Sequence, residues 1–279
     1  MQIIQKRKIF YIISLIIIIP GLVSLVFQGL NTGIDFKGGS ILHVKMNNSV
    51  SSAEVRGVLS DFDLDRSEVQ KSGDEFYMRT EVLTQEQTNE IMGALETKFE
   101  QVTFLSSDTV GATIGKELTR NAFLALAIAA VLMLLYITVR FEWTFGVAAV
   151  LAIMHNVLVV LGLFSIMQWE VNSAFIAAIL TVIGYSINDT IVIFDRVREN
   201  MRKTKRQDYE ELLNKSITQT LNRSINTVLT SAFTLIALLL LGGATIKFFV
   251  GAMLIGFVIG AYSSIFIASP LWYEIKKTA

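Results

Sequence analysis

Cysteine is absent from the 279 residues, which excludes disulfides, thiol nucleophiles and Cys-ligated metals while leaving the redox compartment open. Histidine is nearly absent, and two residues are too few for a His-rich metal site. Charge is also scarce: 17% of the residues are charged against 52% hydrophobic, a balance that belongs to membrane proteins. Neither sign is in excess, since 24 basic residues cancel 24 acidic ones. Net charge therefore gives no reason to expect nucleic acid as a partner, and the placement of the charges carries more information than their sum.

What is present in quantity is apolar sequence in long runs. The first, residues 9–27, is uncharged and follows Lys6, Arg7 and Lys8. Its length suits a hydrocarbon core roughly 30 Å thick, and its end at Val26-Phe27-Gln28 lacks the small residues of a signal-peptide cleavage site. It reads as an uncleaved span that Pro20 can kink. Five more runs follow at 121–139, 145–167, 172–194, 226–241 and 248–272. The fifth span is short unless its helix starts among the polar residues before Asn226. Basic residues cluster at the N-terminus, at the C-terminus (Lys276, Lys277) and in a loop at 195–225 that includes Arg196, Lys205, Arg206 and Arg223. Lys and Arg are retained on the cytoplasmic side, so both termini are expected there, with domains at 1–28 (N-terminus and first span), 29–119 (extracytoplasmic) and 120–279 (spans two to six).

The segment 28–119 holds eight basic and fifteen acidic residues, a net charge of −7, and is long enough to fold alone. Strand alternation at 40–46, helical spacing of Val55, Val58, Leu59 and Phe62, and a hairpin signal at Ser72-Gly73-Asp74 come first. A capping-box pattern at Thr84 then opens a second helix, and a last strand follows at 102–105. The order β-α-β-β-α-β predicts a ferredoxin-like α+β domain inserted into an all-α bundle of six transmembrane helices.

One ionisable residue lies well inside a span. Asp189 is about 9 Å short of the boundary at Asp195 at the helical rise, and an intramembrane carboxylate marks a proton or ion pathway by default. Thr181, Tyr185, Asn188 and Asp189 fall on one helical stripe. In the fifth span Arg223, Asn226, Thr227, Thr230, Ser231 and Thr234 repeat at i, i+3, i+4, i+7, i+8 and i+11. The two helices run antiparallel, so the stripes are expected to face each other with Arg223 approaching Asp189. Low dielectric favours a neutral acid and a nearby guanidinium favours a carboxylate, so a small rearrangement moves such a group between the two states. The alternative is a static polar clasp between helices. His155, beside Asn156 in the third span, reads as a hydrogen-bonded packing residue, and His43 as incidental. Gly256 and Gly260 form a helix-contact spacing. Tyr209, Leu212, Leu213 and Ile217 make an apolar face expected to rest on the bilayer surface, and Gly33, Gly38 and Gly39 read as a turn, not a nucleotide site.

Four segments together, GIDFKGG (33–39), VGATIGKEL (110–118), IGYSINDT (183–190) with FDR (194–196), and LNRSINT (221–227), resemble the SecD/SecF family of protein-export membrane proteins, within the resistance-nodulation-division superfamily. With the six spans and the external domain, the likeness covers nearly the whole chain. Ala112 departs from it, standing where the family often has proline. The resemblance implies a subunit in a bacterial inner membrane that works with a SecD-like chain, the SecYEG channel and the SecA ATPase. It implies that the proton gradient helps draw a translocating polypeptide across, with the proton as coupling ion and no other cofactor. It also implies that Asp189 matches the family's proton-linked aspartate and Arg223 its arginine. Two other readings stand beside it: a half-transporter of the same superfamily exporting lipids or small molecules, and a non-catalytic assembly subunit. An intramembrane aspartyl hydrolase is disfavoured because such chemistry needs two close carboxylates.

Overall fold

The computed structural model describes residues 2–47, 49–203 and 208–278; Lys205 and Arg206, used above for orientation, lie outside them. In chain order come α1 (Arg7–Phe27), the one-turn α2 (Ile34–Lys37), β1 (Gly39–Lys45), α3 (Ser52–Ser60), β2 (Glu68–Ser72), β3 (Glu75–Thr80), α4 (Gln85–Lys98) and β4 (Thr103–Val110). Then follow α5 (Ala112–Arg140), α6 (Trp143–Met167), α7 (Ser173–Lys203), α8 (Tyr209–Leu241) and α9 (Lys247–Ser263), which passes through a π-helical turn (Ser264–Ala268) into α10 (Ser269–Thr278). Among the described residues, six helices are long and apolar enough to cross a membrane: α1, α5, α6, α7, α8 and the continuous α9–α10. The chain divides into two compact units, Thr32–Phe123 and a bundle made of Met1–Asn31 with Leu124–Ala279.

The inserted unit is a four-stranded antiparallel sheet in the order β2-β3-β1-β4. Burial alternates along β1 and β3, because successive side chains of a strand point to opposite faces. Leu42, Val44, Phe76 and Met78 thus share one face and pack against Val55, Val58 and Leu59 of α3 and Ile91 and Leu95 of α4. Each of these helices opens with a capping box: the Ser51 side chain accepts from Glu54 N–H at 3.3 Å, and the Thr84 side chain accepts from Gln87 N–H at 3.2 Å. The Gly38-Gly39 pair makes the turn that the sequence suggests. Both residues have positive φ, +79° and +138°, and a Cβ on Gly39 would press on the Thr80 carbonyl, so glycine is required there.

In the bundle, lipid tails are as apolar as leucine, so helix contacts rest on close packing and hydrogen bonds. Gly21 of α1 meets Gly162 of α6 backbone to backbone, 2.7 Å from a Cβ placed on Gly21 to the Gly162 Cα. Gly256 and Gly260 of α9 seat Val182 and Ser186 of α7, which makes their spacing a real contact.

Two expectations are corrected. Much of the basic loop read at 195–225 is helix, because α7 continues to Lys203 and α8 begins at Tyr209. Hydropathy ends a span where charge begins, whereas Arg, Glu and Lys continue a helix readily in water. Nor does the apolar face of Tyr209, Leu212, Leu213 and Ile217 lie on a bilayer. Leu213 and Ile217 are fully buried against Ile3, Ile4, Val197 and Trp272, and Asn214 Oδ1 accepts from Ile3 N–H at 2.8 Å. The chain's N-terminal residues, absent from any periodicity argument about α8, cover that face.

Candidate functional site

Asp189 occupies the interior of α7 and is 3% exposed. Its Oδ2 is enclosed and finds no hydrogen-bond donor among the described residues. Arg223 of α8 is the charged group whose field reaches the carboxyl, and it makes no salt bridge with it. The antiparallel course of α7 and α8 brings the two residues into range, since each lies near the middle of its helix.

Tyr185, one turn before Asp189, ties three helices together. Its ring stacks on Phe257 of α9 with centroids 3.8 Å apart. Its hydroxyl donates to the Thr227 carbonyl at 2.8 Å and lies 3.0 Å from Ser231 Oγ on α8. These three are the stripe residues that the structure brings together. Thr181 and Asn188 of α7, and Arg223, Asn226, Thr230 and Thr234 of α8, are instead exposed on the surface of the chain. The hydroxyls there turn back on their own helix: Thr181 Oγ1 donates to Ala177 O at 2.8 Å, Thr227 Oγ1 to Arg223 O at 2.8 Å, Thr230 Oγ1 to Asn226 O at 2.9 Å and Thr234 Oγ1 to Thr230 O at 3.3 Å. Back-bonding of this kind is what threonine does in an apolar helix. The expected row of facing hydroxyls is thereby reduced to a single crossing at Tyr185.

A second polar system, on the opposite flank of α7, was not legible in the sequence beyond His155 and Asn156. His155 Nε2 lies 3.0 Å from Ser14 Oγ of α1, and its Nδ1 lies 3.1 Å from Asn156 Oδ1. Asn156 Nδ2 then donates to Ser186 Oγ of α7 at 2.7 Å. Ser264, in the π-helical turn, donates to Ser186 O at 3.2 Å and lies 2.8 Å from Thr190 Oγ1. The acid's own turn of α7 is therefore held by a buried chain of hydrogen bonds reaching back to α1. Ser186 and Thr190 are spaced i, i+4, and that spacing beside Asp189 was the available signal. His43, by contrast, stacks on Tyr77 in the inserted unit, remote in sequence from this network.

Below Asp189 along α7, a cavity of about 310 Å³ opens among Asp195, Arg196, Glu199, Gln219, Thr220 and Arg223. It reaches Arg223 from the end of the bundle at which the two termini lie, as the Arg7–Glu274 and Lys276–Glu142 ion pairs show. Among the described residues no group of His, Asp and Glu could hold a metal ion.

A bundle of six apolar helices, a small antiparallel sheet inserted after the first, and an acid enclosed in the fourth define a multi-pass membrane protein with an ionisable group buried in one of its apolar helices. The model of the C-terminal part of the protein-export membrane proteins SecD and SecF matches residues 91–278, and that of the SecD/SecF GG motif matches residues 23–50. The protein translocase subunit SecF of Sebaldella termitidis is 39% identical over 99% of this chain and 92% of its own length. The protein translocase subunit SecDF of Bacillus subtilis is 38% identical over 98% of this chain but only 38% of its own length. The crystal structure of SecDF, a translocon-associated membrane protein from Thermus thermophilus, superposes with a TM-score of 0.93 at 35% identity, covering 99% of this chain and 39% of the solved one. The chain belongs to the SecD/SecF family of protein-export membrane proteins.

Proposed function

We propose that this chain, a protein translocase subunit of the SecF type, couples proton entry at Asp189 to late-stage export of polypeptide. The observation that carries this reading is an acid 3% exposed inside a span with an unpartnered oxygen. A carboxylate without donors in low dielectric is costly, whereas the neutral acid is tolerated. Gain and loss of a proton there changes what α7 can pack against, so two packings can be biased by the gradient. Arg223 stabilises the charged form, and the cavity beside it supplies water contact at one side. The π-helical turn at 264–268 supports the same reading, because π-turns mark places where a helix can shift register.

A SecD-like chain supplies the other half of the membrane core, as the fused SecDF relatives suggest. We further infer that the pair works beside SecYEG, downstream of SecA, with the polypeptide as cargo and the proton as the sole coupling ion. In this reading the role is transport and not catalysis. The protein sits in the bacterial inner membrane with both termini cytoplasmic, and the inserted unit faces outside as a ferredoxin-like domain. The sheet order supports that last assignment.

Asp189→Asn tests the proposal, since it keeps the shape and removes the titration. In vesicles holding the translocase and both subunits, the gradient should accelerate completion of export with wild type. It should lose that effect by at least about tenfold with Asp189→Asn, the scale of a single lost proton-transfer group. A gradient response equal to wild type would leave Asp189 a structural residue.

A further inference from the structure

At the end of the bundle that holds the termini, the turn between α5 and α6 projects Phe141 between two arginines. The Arg140 guanidinium lies 5.5 Å from the Phe141 ring centroid and that of Arg198 5.8 Å. Arg198 also donates to the Arg140 carbonyl at 3.0 Å, which fixes the fork of its side chain and leaves most of its N–H groups unused. Beneath the ring is a cavity of about 400 Å³ lined by Phe141, Glu142, Phe145, Arg198, Met201 and Arg202, a volume that suits a small polar group. Its one acid, Glu142, is already paired with Lys276 at 2.9 Å. Among the described residues neither Arg198 nor Arg202 forms an ion pair with a carboxylate, whereas neighbouring Arg196 and Lys203 share Glu199 at 2.7 and 2.6 Å. Two arginines without a carboxylate partner among the described residues therefore line one cavity.

We propose that this cavity binds the phosphate of an anionic phospholipid, with Arg198 and Arg202 as its ligands. Guanidinium stays charged at any physiological pH and offers paired N–H donors that match phosphate oxygens. Basic recesses between membrane helices at the headgroup level are where acidic lipids bind. A lipid is favoured over a soluble phosphate by what adjoins the cavity. Val139 and Leu135 of α5 are 86% and 56% exposed, and Trp143, 55% exposed, stands at the start of α6. An apolar flank for acyl chains and an aromatic residue suited to the headgroup boundary thus lie within two turns, along the chain, of Phe141 and Glu142 in the lining. The proposal is independent of proton coupling at Asp189.

The test uses the full chain purified in mild detergent and titrated with phosphatidylglycerol or phosphatidylcholine, with retained lipid read by native mass spectrometry. Wild type should retain phosphatidylglycerol and not phosphatidylcholine. Arg198→Gln with Arg202→Gln should weaken that retention about tenfold or more, the scale of two lost basic contacts near a membrane surface. Lys6→Gln with Lys8→Gln, exposed at the same end and outside the cavity, should not. If the glutamine pair unfolds the protein, Arg198→Lys with Arg202→Lys keeps the charge and loses the fork, and should still weaken retention several-fold. Equal retention of both lipids, no effect of either arginine pair, an equal loss in the lysine control, or displacement by equimolar inorganic phosphate would each overturn the assignment.

Discussion

Asp189 is a buried acid whose Oδ2 finds nothing to bond to among the described residues, while Gly256 and Gly260 of α9 let that helix pack closely on α7. A side chain at Gly256 would overlap Val182, and a Cβ at Gly260 would sit 3.1 Å from that of Ser186. Gly256→Val should therefore force α9 away from α7. Overpacking of a tight contact costs about 1–3 kcal/mol, and thermal unfolding in detergent should show a lower midpoint than wild type. Because Ser186 accepts the Asn156 amide, the same displacement disturbs the hydrogen bonds on that flank of the acid. Single residues differ in how far the sequence reveals them. A carboxyl in an apolar run announces itself, since its cost there is high. Ser186, Thr190 and Ser264 do not, because a hydroxyl can satisfy itself on its own helix. Only the fold, which sets Ser264 of the π-helical turn against Ser186 and Thr190 of α7, shows that they also bond to one another.

The elements of the inserted unit were legible nearly end to end, because capping and alternation are local. The helix expected from Thr84 begins at Gln85 under the predicted cap, and the hairpin turns at Gly73 with φ +65°. Thr84→Ala removes that cap and should cost about 1 kcal/mol, read as a shift in the urea midpoint with an unchanged slope. The first helix carries a pH signature as well. Hydrogen bonds from the Ser51 backbone and side chain hold the Glu54 carboxyl below its ordinary value of 4.5. A group depressed in the folded state contributes stability that is fully present above its unfolded value and lost as pH falls through the folded one. Stability of this unit should thus decline on the acid side of about pH 4.5, and Glu54→Gln should flatten that decline while leaving the neutral-pH spectrum native. The long helices were harder to delimit. The first turns of α8 read as a helix with an apolar face, yet that face packs on residues two hundred positions away, which no local pattern reports.

At the scale of the whole bundle, the instructive feature is a polar face that the chain leaves uncovered. Arg223, Asn226, Thr230 and Thr234 of α8, with Thr181 and Asn188 of α7, are exposed. The threonine hydroxyls are satisfied internally, but amide and guanidinium groups facing hydrocarbon are unfavourable. These residues share a stripe in the sequence, and among the described residues the two stripes meet within the chain through Tyr185, Thr227 and Ser231. Helical periodicity fixes which residues lie together on a face and says nothing about which molecule covers it. A second bundle that brings polar partners of its own would satisfy the face, and the SecDF relatives are longer than the part this chain matches. Asn226→Leu combined with Thr230→Leu and Thr234→Leu makes this helix more apolar, so membrane insertion should be unimpaired or improved. Interhelical polar contacts act as glue in lipid, and the triple variant should co-purify with a SecD-like chain at least about tenfold less than wild type. Undiminished co-purification, with insertion intact, would mean that the partner docks elsewhere and that this face meets water or lipid instead.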